Sequence, residues 1–540
     1  MSSRFAIAIV LLVLSAPACT SAEIDVGAFL KEAEEAAEKL EVDRPSLLCD
    51  LARQYAGRGE RLKAKKMLER AIKLALETPT TEKNWMGKWF LLKDAVKVQA
   101  FLGEVTEALK NATAVGASLH RVGLVESEVA EGQAEAGDFK GAVATCDRLI
   151  APVVQGWKAM SLCEIAWAQA KVGQFDASLQ TVKLIEALPA KDDETRRMNR
   201  ASRNNALAII AREQATHGHV KEGLLTAERD SRDSVRAVNL RDIARIQAER
   251  GDKPGAKETV RRALRLAERL NDADCIETIA GVQAEIGDIS GALETTSRFL
   301  KGPAKGYVLL LISIAEMKIG ERVDAAKKFE EGLTIARIDG TEGRLLECVS
   351  GKQAEAGDFD RAIKIAEAIR NPSTKAVALR EIVVQVLKQR DIPQALKIAD
   401  SIKDAFHRSF ALRKIAVAQA KAKLPSAKET FRQAIESAKS EENKGGAIVA
   451  LYQVGYAEGQ AGYVADATKT FDEARRRALQ EKDPAEAASL LQDIARAQAA
   501  GGNPSGALAW ARSQSSQLFK ARSLVGLVQG LTEGPDGRDP

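Results

Sequence analysis

The chain has 540 residues, 80 basic against 75 acidic, and a net charge of +5, so its charge balance gives no case for nucleic-acid binding. Hydrophobic residues make up 45% and can build a large core, but aromatics make up only 4%, too few for the aromatic-rich cleft of a sugar-cleaving enzyme. Alanine recurs along the whole length and, with Lys, Glu and Arg, favours closely packed helices.

Arg4 precedes a ten-residue apolar run, 5–14, which gives way to small residues. That is the pattern of an export signal, and the run is too short for a membrane span. Residues 1–22 are therefore expected to be a signal peptide, and the mature protein to be periplasmic or extracellular. Cleavage after Ala22 gives a secreted chain. Ala16-Pro17-Ala18-Cys19 offers the alternative of a lipid anchor on Cys19, although the Leu usual three before the Cys is missing. Cys49, Cys146, Cys163, Cys275 and Cys348 then remain. An odd number scattered over a long chain is not a disulfide framework. All five are expected as packed thiols inside helices, with a Cys146–Cys163 bridge as the alternative.

After an amphipathic helix at 26–40 the chain becomes periodic. Gly59, Gly103, Gly137, Gly173, Gly218, Gly251, Gly287, Gly320, Gly357, Gly462 and Gly502 mark the units, and Arg390 and Lys423 take the same place in two more. The thirteen positions are 33 to 45 residues apart. Before each runs a pattern such as Leu240-x-x-Ile243-Ala244-x-x-Gln247, with steps of three and four on one helical face. Five residues after the mark an Ala recurs, as at Ala64, Ala142, Ala256 and Ala362, opening a second amphipathic helix. The Gly suits a left-handed turn past the first helix. Asp138, Asp252, Asp288 and Asp358 follow as candidate caps, and Pro254, Pro393, Pro425 and Pro504 sit near the second helix's start. Two joints, 78–88 and 189–203, are stretched and should form loops or lengthen helices.

Spacing and small-residue placement over 45–515 resemble the tetratricopeptide repeat (TPR) family. The first unit carries Leu48, Leu51, Ala52, Tyr55, Gly59, Ala64, Leu68 and Ala71; the twelfth carries Leu451, Val454, Gly455, Gly462, Ala467, Phe471 and Ala474. The family's usual Tyr in the first helix is mostly Gln here, as at Gln133, Gln169, Gln247 and Gln283. The resemblance implies an all-α, right-handed solenoid of stacked antiparallel hairpins. Residues 23–44 and 516–531 would cap its two ends, and 532–540 would be a disordered tail.

The resemblance also implies that the first helices line a concave groove that grips a protein or peptide. The groove positions hold Trp167, Arg212, Arg241, Arg245, Arg380, Arg413, Tyr452, Tyr456 and Arg496. Arg, Tyr and Trp commonly anchor interfaces; solvated positions of a charged protein are the alternative. Trp85 and Trp89 read as packing beneath the first stretched joint. The Lys/Asn set of the family's carboxylate clamp is missing. No phosphate loop or nucleophile–base set appears, and His217 and His219 read as turn residues rather than metal ligands. The expected function is a non-enzymatic scaffold or adaptor in the cell envelope, with no cofactor and no catalytic residues. The alternatives are an assembly or chaperone-like factor for exported chains and, from another class, an all-α hydrolase or lyase.

Overall fold

The computed structural model describes residues 25–40, 44–77, 85–114, 119–149, 155–339 and 343–532. Among them there are helices and no strands. A lone helix, α1 (Val26–Ala37), precedes thirteen hairpins. The first four hairpins are α2 (Arg44–Gly57) with α3 (Arg61–Glu77), α4 (Trp85–Phe101) with α5 (Val105–Thr113), α6 (Leu119–Glu135) with α7 (Phe139–Cys146), and α8 (Gln155–Lys171) with α9 (Phe175–Glu186). Next come α10 (Asp193–Thr216) with α11 (Val220–Ala227), α12 (Asp233–Glu249) with α13 (Lys253–Leu270), and α14 (Ala273–Glu285) with α15 (Ile289–Phe299). Then follow α16 (Gly302–Ile319) with α17 (Arg322–Asp339), α18 (Gly343–Glu355) with α19 (Phe359–Ala368), and α20 (Pro372–Lys388) with α21 (Ile392–Ser401). The last are α22 (Ala405–Lys421) with α23 (Ala427–Lys439), α24 (Lys444–Gln460) with α25 (Val464–Ala478), and α26 (Pro484–Ala500) with α27 (Pro504–Ser513), before a final α28 (Gln517–Thr532). The second stretched joint lengthens a helix: α10 has 24 residues. The first lies mostly outside the described residues.

Every hairpin turns at the position marked in the sequence. All eleven marker glycines have positive φ, and so do Arg390 (62°) and Lys423 (57°), which adopt the left-handed turn despite a Cβ. The residue after the marker donates its N–H to a carbonyl five residues back, as Asp138 does to Gln133 at 2.9 Å and Asp252 to Gln247 at 2.9 Å. Asp138, Asp252 and Asp358 cap the second helix with their carboxylates; Asp288 makes no such bond and instead faces the Lys257 ammonium at 3.4 Å.

First helices pack on first helices from α2 through α28, whereas among second helices only α17 and α19 touch to any extent. The first helices are thus the inner layer of a curved wall, and the second helices splay on its outside. Small residues let the inner layer close up: a Cβ at Gly526 of α28 would lie 2.0 Å from the Gln492 carbonyl oxygen of α26.

The ends do not form two separate caps. α28 packs on α26, on α2 and on α1, and α1 packs on α28 and α2. Leu30, Ala33, Ala36 and Ala37 share one core with Leu524, Val525, Leu527 and Val528. In the repeat pattern α28 is a first helix lacking its second helix, and α1 occupies that place. The two ends together make a fourteenth hairpin, and the wall closes into a ring.

Cys49, Cys146, Cys163 and Cys275 are buried free thiols, so the Cys146–Cys163 bridge does not form; Cys348 is exposed, contrary to expectation. Residues 1–22, with Cys19, and the tail from 533 lie outside the described residues.

Candidate binding surface on the inner helices

The sequence-predicted groove residues all fall on first helices, at positions six and ten before the turn marker, one stripe of the helix. Their environments differ. Trp167 is 39% exposed, with the Lys171 ammonium 5.1 Å from its ring. Arg212 is exposed and pairs with Asp242 at 3.7 Å. Arg241 donates to Asp242 at 3.0 Å and to the Thr278 hydroxyl of the next hairpin at 3.1 Å. Arg245 is exposed and donates to Glu285 at 3.0 Å.

The later positions are more enclosed. Arg380 and Arg413 converge on the Phe410 ring, 4.7 and 4.8 Å from its centre, and Arg413 is only 2% exposed. Tyr452 is buried; burial first, then the nearby Asp493, raises its phenol above the ordinary range. Tyr456 is half-buried, and Arg496 pairs with Asp493 at 3.3 Å. Arg241, Arg380, Arg413 and Tyr452 thus help bind one hairpin to the next. Trp167, Arg212 and Arg245 stay exposed on the inner stripe.

Where the expected aromatic and Arg anchors stop, the wall has a depression. Its stripe holds Gly281 in α14, Leu310 and Ile314 in α16, and Gly351 in α18. A cavity of 450 Å³ opens there, floored by Leu311, Ile314 and Ile319 and rimmed by Arg245, Glu285 and Lys352. It adjoins a second depression of 470 Å³ lined by Gly351, Lys352, Glu355 and Glu381. A Cβ at Gly351 would meet nothing within 4 Å, so this position looks into open space. Ile319 is 60% exposed, and Val323 beyond the turn is 84% exposed.

An ion-pair chain crosses the depression. Glu285 at the end of α14 accepts from Arg245 of α12 and from the Lys352 ammonium of α18, two hairpins on. Burial works to raise the Glu285 carboxyl. The hydrogen bond and charge of Lys352, joined by Arg245, outweigh burial and hold it below the usual carboxylate range. The site is a small apolar floor under a fixed, charged rim.

Apart from Arg245, these residues do not stand out in the sequence as large anchors. The signal was the opposite: glycines on the inner stripe, and a helix apolar on every side, Val308 through Ala315. No group of three His, Cys, Asp or Glu among the described residues could hold a metal ion. His217 and His219 each stack edge-on against Phe175, with ring centres 5.5 Å apart. Trp85 and Trp89 lie in α4, and their side chains are outside the described set. No described helix is long and apolar enough to cross a membrane.

No protein-family model and no curated protein matches the chain. Solved structures do. It is similar to Ton1535 of Thermococcus onnurineus NA1, at 15% identity over 67% of this chain and 97% of that one, with a TM-score of 0.21. It is similar to the APC/C hetero-tetramer Cut9–Hcn1, at 12% identity over 91% and 98%, TM-score 0.24. It is also similar to yeast Tom70, at 12% identity over 81% and 94%, TM-score 0.23. Superpositions this loose leave the function of the chain to its own geometry.

Proposed function

We propose that this protein is a non-enzymatic scaffold that holds a segment of a partner protein against the inner wall of its ring, at the depression between α12 and α20. The apolar floor under the Arg245–Glu285–Lys352 rim carries this reading. A floor of Leu311, Ile314 and Ile319 takes an apolar side chain, and a rim of both signs takes the polar backbone and charges around it. Fourteen first helices spaced by ~9 Å would enclose a circle about 40 Å across at their axes, an upper bound that leaves room for a helix or an extended strand. The export signal expected at 1–22 puts this work in the cell envelope, either free or anchored through Cys19.

The test is a photo-crosslinking residue at position 351, with the outer position 469 as control; Lys469 is 80% exposed on α25. Expressed in its own envelope, the first variant should capture one discrete protein, and the second should not. A smear of many captured chains from position 351 would favour the chaperone-like reading. Equal capture at both positions would remove the inner wall from consideration.

A further inference from the structure

The closing hairpin differs from the other thirteen in having no turn. Its helices are at opposite ends of the chain, and each is tied to its own side. On one side, Arg70 of α3 pairs with Glu34 of α1 at 3.5 Å and with Glu38 just past it, and α1 packs on α2. On the other side, α28 is seated in α26, where a Cβ at Gly530 would lie 2.3 Å from the Arg496 carbonyl oxygen. No turn of the chain crosses the boundary between the sides, which is a packed face flanked by ion pairs. α1 contributes one leucine and three alanines, Leu30, Ala33, Ala36 and Ala37, to the buried contact. Val26, Phe29 and Leu40 pack against the same core, and polar contacts flank it: Arg522 donates to Asp50 at 2.7 Å and to the Ser46 hydroxyl at 3.1 Å, and Arg512 grips Glu32 with Nε at 3.0 Å.

We infer that the ring opens at this seam, between α1–α2 and α27–α28, and that opening is how a partner segment reaches the inner wall. This rests on the scaffold reading for its purpose but not for its mechanics. A closed ring admits a chain only by threading an end, whereas an openable one can take a partner from the side. Elsewhere, neighbouring hairpins are held together by the chain itself as well as by their packing. At the seam no turn holds the two faces together, and two of the contacts that do, the Arg522–Asp50 and Arg512–Glu32 ion pairs, are ones that salt can screen. Re-closure is aided because both faces belong to one molecule and stay at high effective concentration.

The experiment places spin labels on the full mature chain at Glu35→Cys and Ser515→Cys, exposed positions on either side of the seam, in a Cys348→Ser background. The parent should show one short, narrow distance. Arg522→Glu should add a long-distance population, raising the open fraction by about tenfold or more. Asp50→Arg combined with Arg522→Glu should restore the short distance. High salt should open a fraction of the parent, which keeps the test valid if a variant misfolds. An unchanged distance in Arg522→Glu and at high salt overturns the inference. Crosslinking from position 351 is read in parallel. Lost capture with a normal opening response counts against the scaffold reading alone, and normal capture with a rigid seam counts against the gate alone.

Discussion

The Thr295 hydroxyl donates to the Gln283 side-chain oxygen at 2.8 Å, twelve residues back across the turn, and the same bond joins Thr181 to Gln169 at 2.8 Å and Thr145 to Gln133 at 2.5 Å. Gln133 also donates to the capping Asp138 at 3.0 Å, and Gln247, at the same position of its own unit, donates to Asp252 at 3.0 Å. This accounts for Gln where the tetratricopeptide pattern carries Tyr. The amide ties the first helix, the turn and the second helix together inside the hairpin. Thr295→Val should leave the Gln283 oxygen buried without its donor and cost about 1–3 kcal/mol. Adding Gln283→Leu should recover some of that loss. Chemical denaturation of both variants checks the order; a double variant weaker than the sum of the singles would mean the bond is incidental.

In the twelfth hairpin the same position holds Glu458, 3% exposed, and Thr470 donates to it at 2.7 Å. Burial pushes its carboxyl up to about 7, against the opposing effect of the Thr470 bond and with help from Asp466. The folded chain therefore holds this proton more tightly than the unfolded chain does. Stability from this group is complete below its ordinary value near 4.5 and is lost as pH rises from there through about 7. The loss is at most about 3–4 kcal/mol. Glu458→Gln, which copies the other units, should be more stable than the parent at pH 8 and should flatten the slope between pH 5 and 8. Thermal melts across that range decide it; equal slopes would show that Glu458 is charged in the folded protein.

The turn positions give a pair of opposite sign. Gly357 has φ 85°, so Gly357→Val should destabilise by forcing a β-branched residue into the left-handed region. Arg390 already sits at φ 62°, so Arg390→Gly should stabilise by roughly 1 kcal/mol. Ala244, fully buried in α12, leaves no room for a larger side chain, and Ala244→Leu should cost about 1–3 kcal/mol. Melting temperatures that move the wrong way at either turn would mean that turn strain does not limit these hairpins.

The hairpins were legible because each is a local object. A left-handed turn leaves its mark in a glycine, and the units that keep it supply the register where Arg390 or Lys423 replaces it. The ring was not legible. Curvature is the sum of small rotations between hairpins, set by side-chain volumes along the whole inner layer rather than by any one motif. The region 516–531 could be recognised as an end cap. The helix it pairs with lies some 480 positions away, as the Arg512–Glu32 bond shows, and no periodicity connects them. The inner stripe could likewise be placed, but not the depth at which each residue sits. Arg413 and Trp167 both occupy it, and the structure buries one and exposes the other.

That difference in depth redirects the test of the inner wall. Removing Arg413 and Tyr452 would damage the joint between hairpins before it touched any partner. Arg245 and Lys352 are better probes, because Arg245 is exposed and Lys352 is one-third exposed at the rim. Their removal together would strand the Glu285 carboxylate, so the variant should be Arg245→Ala, Lys352→Ala and Glu285→Gln combined, which leaves no buried charge unpaired. Its melting temperature should stay close to the parent's, and its capture of a partner by a crosslinker at position 351 should fall about tenfold, as expected when several interface anchors are lost together. Ile319→Lys, which places a charge over the apolar floor, should weaken capture in the same way without touching the ion pairs. Lys469→Ala on the outer layer should behave as the parent. If the rim variant and the outer control capture equally while Ile319→Lys fails, the floor alone carries binding; if all three capture equally, the partner lies elsewhere on the ring.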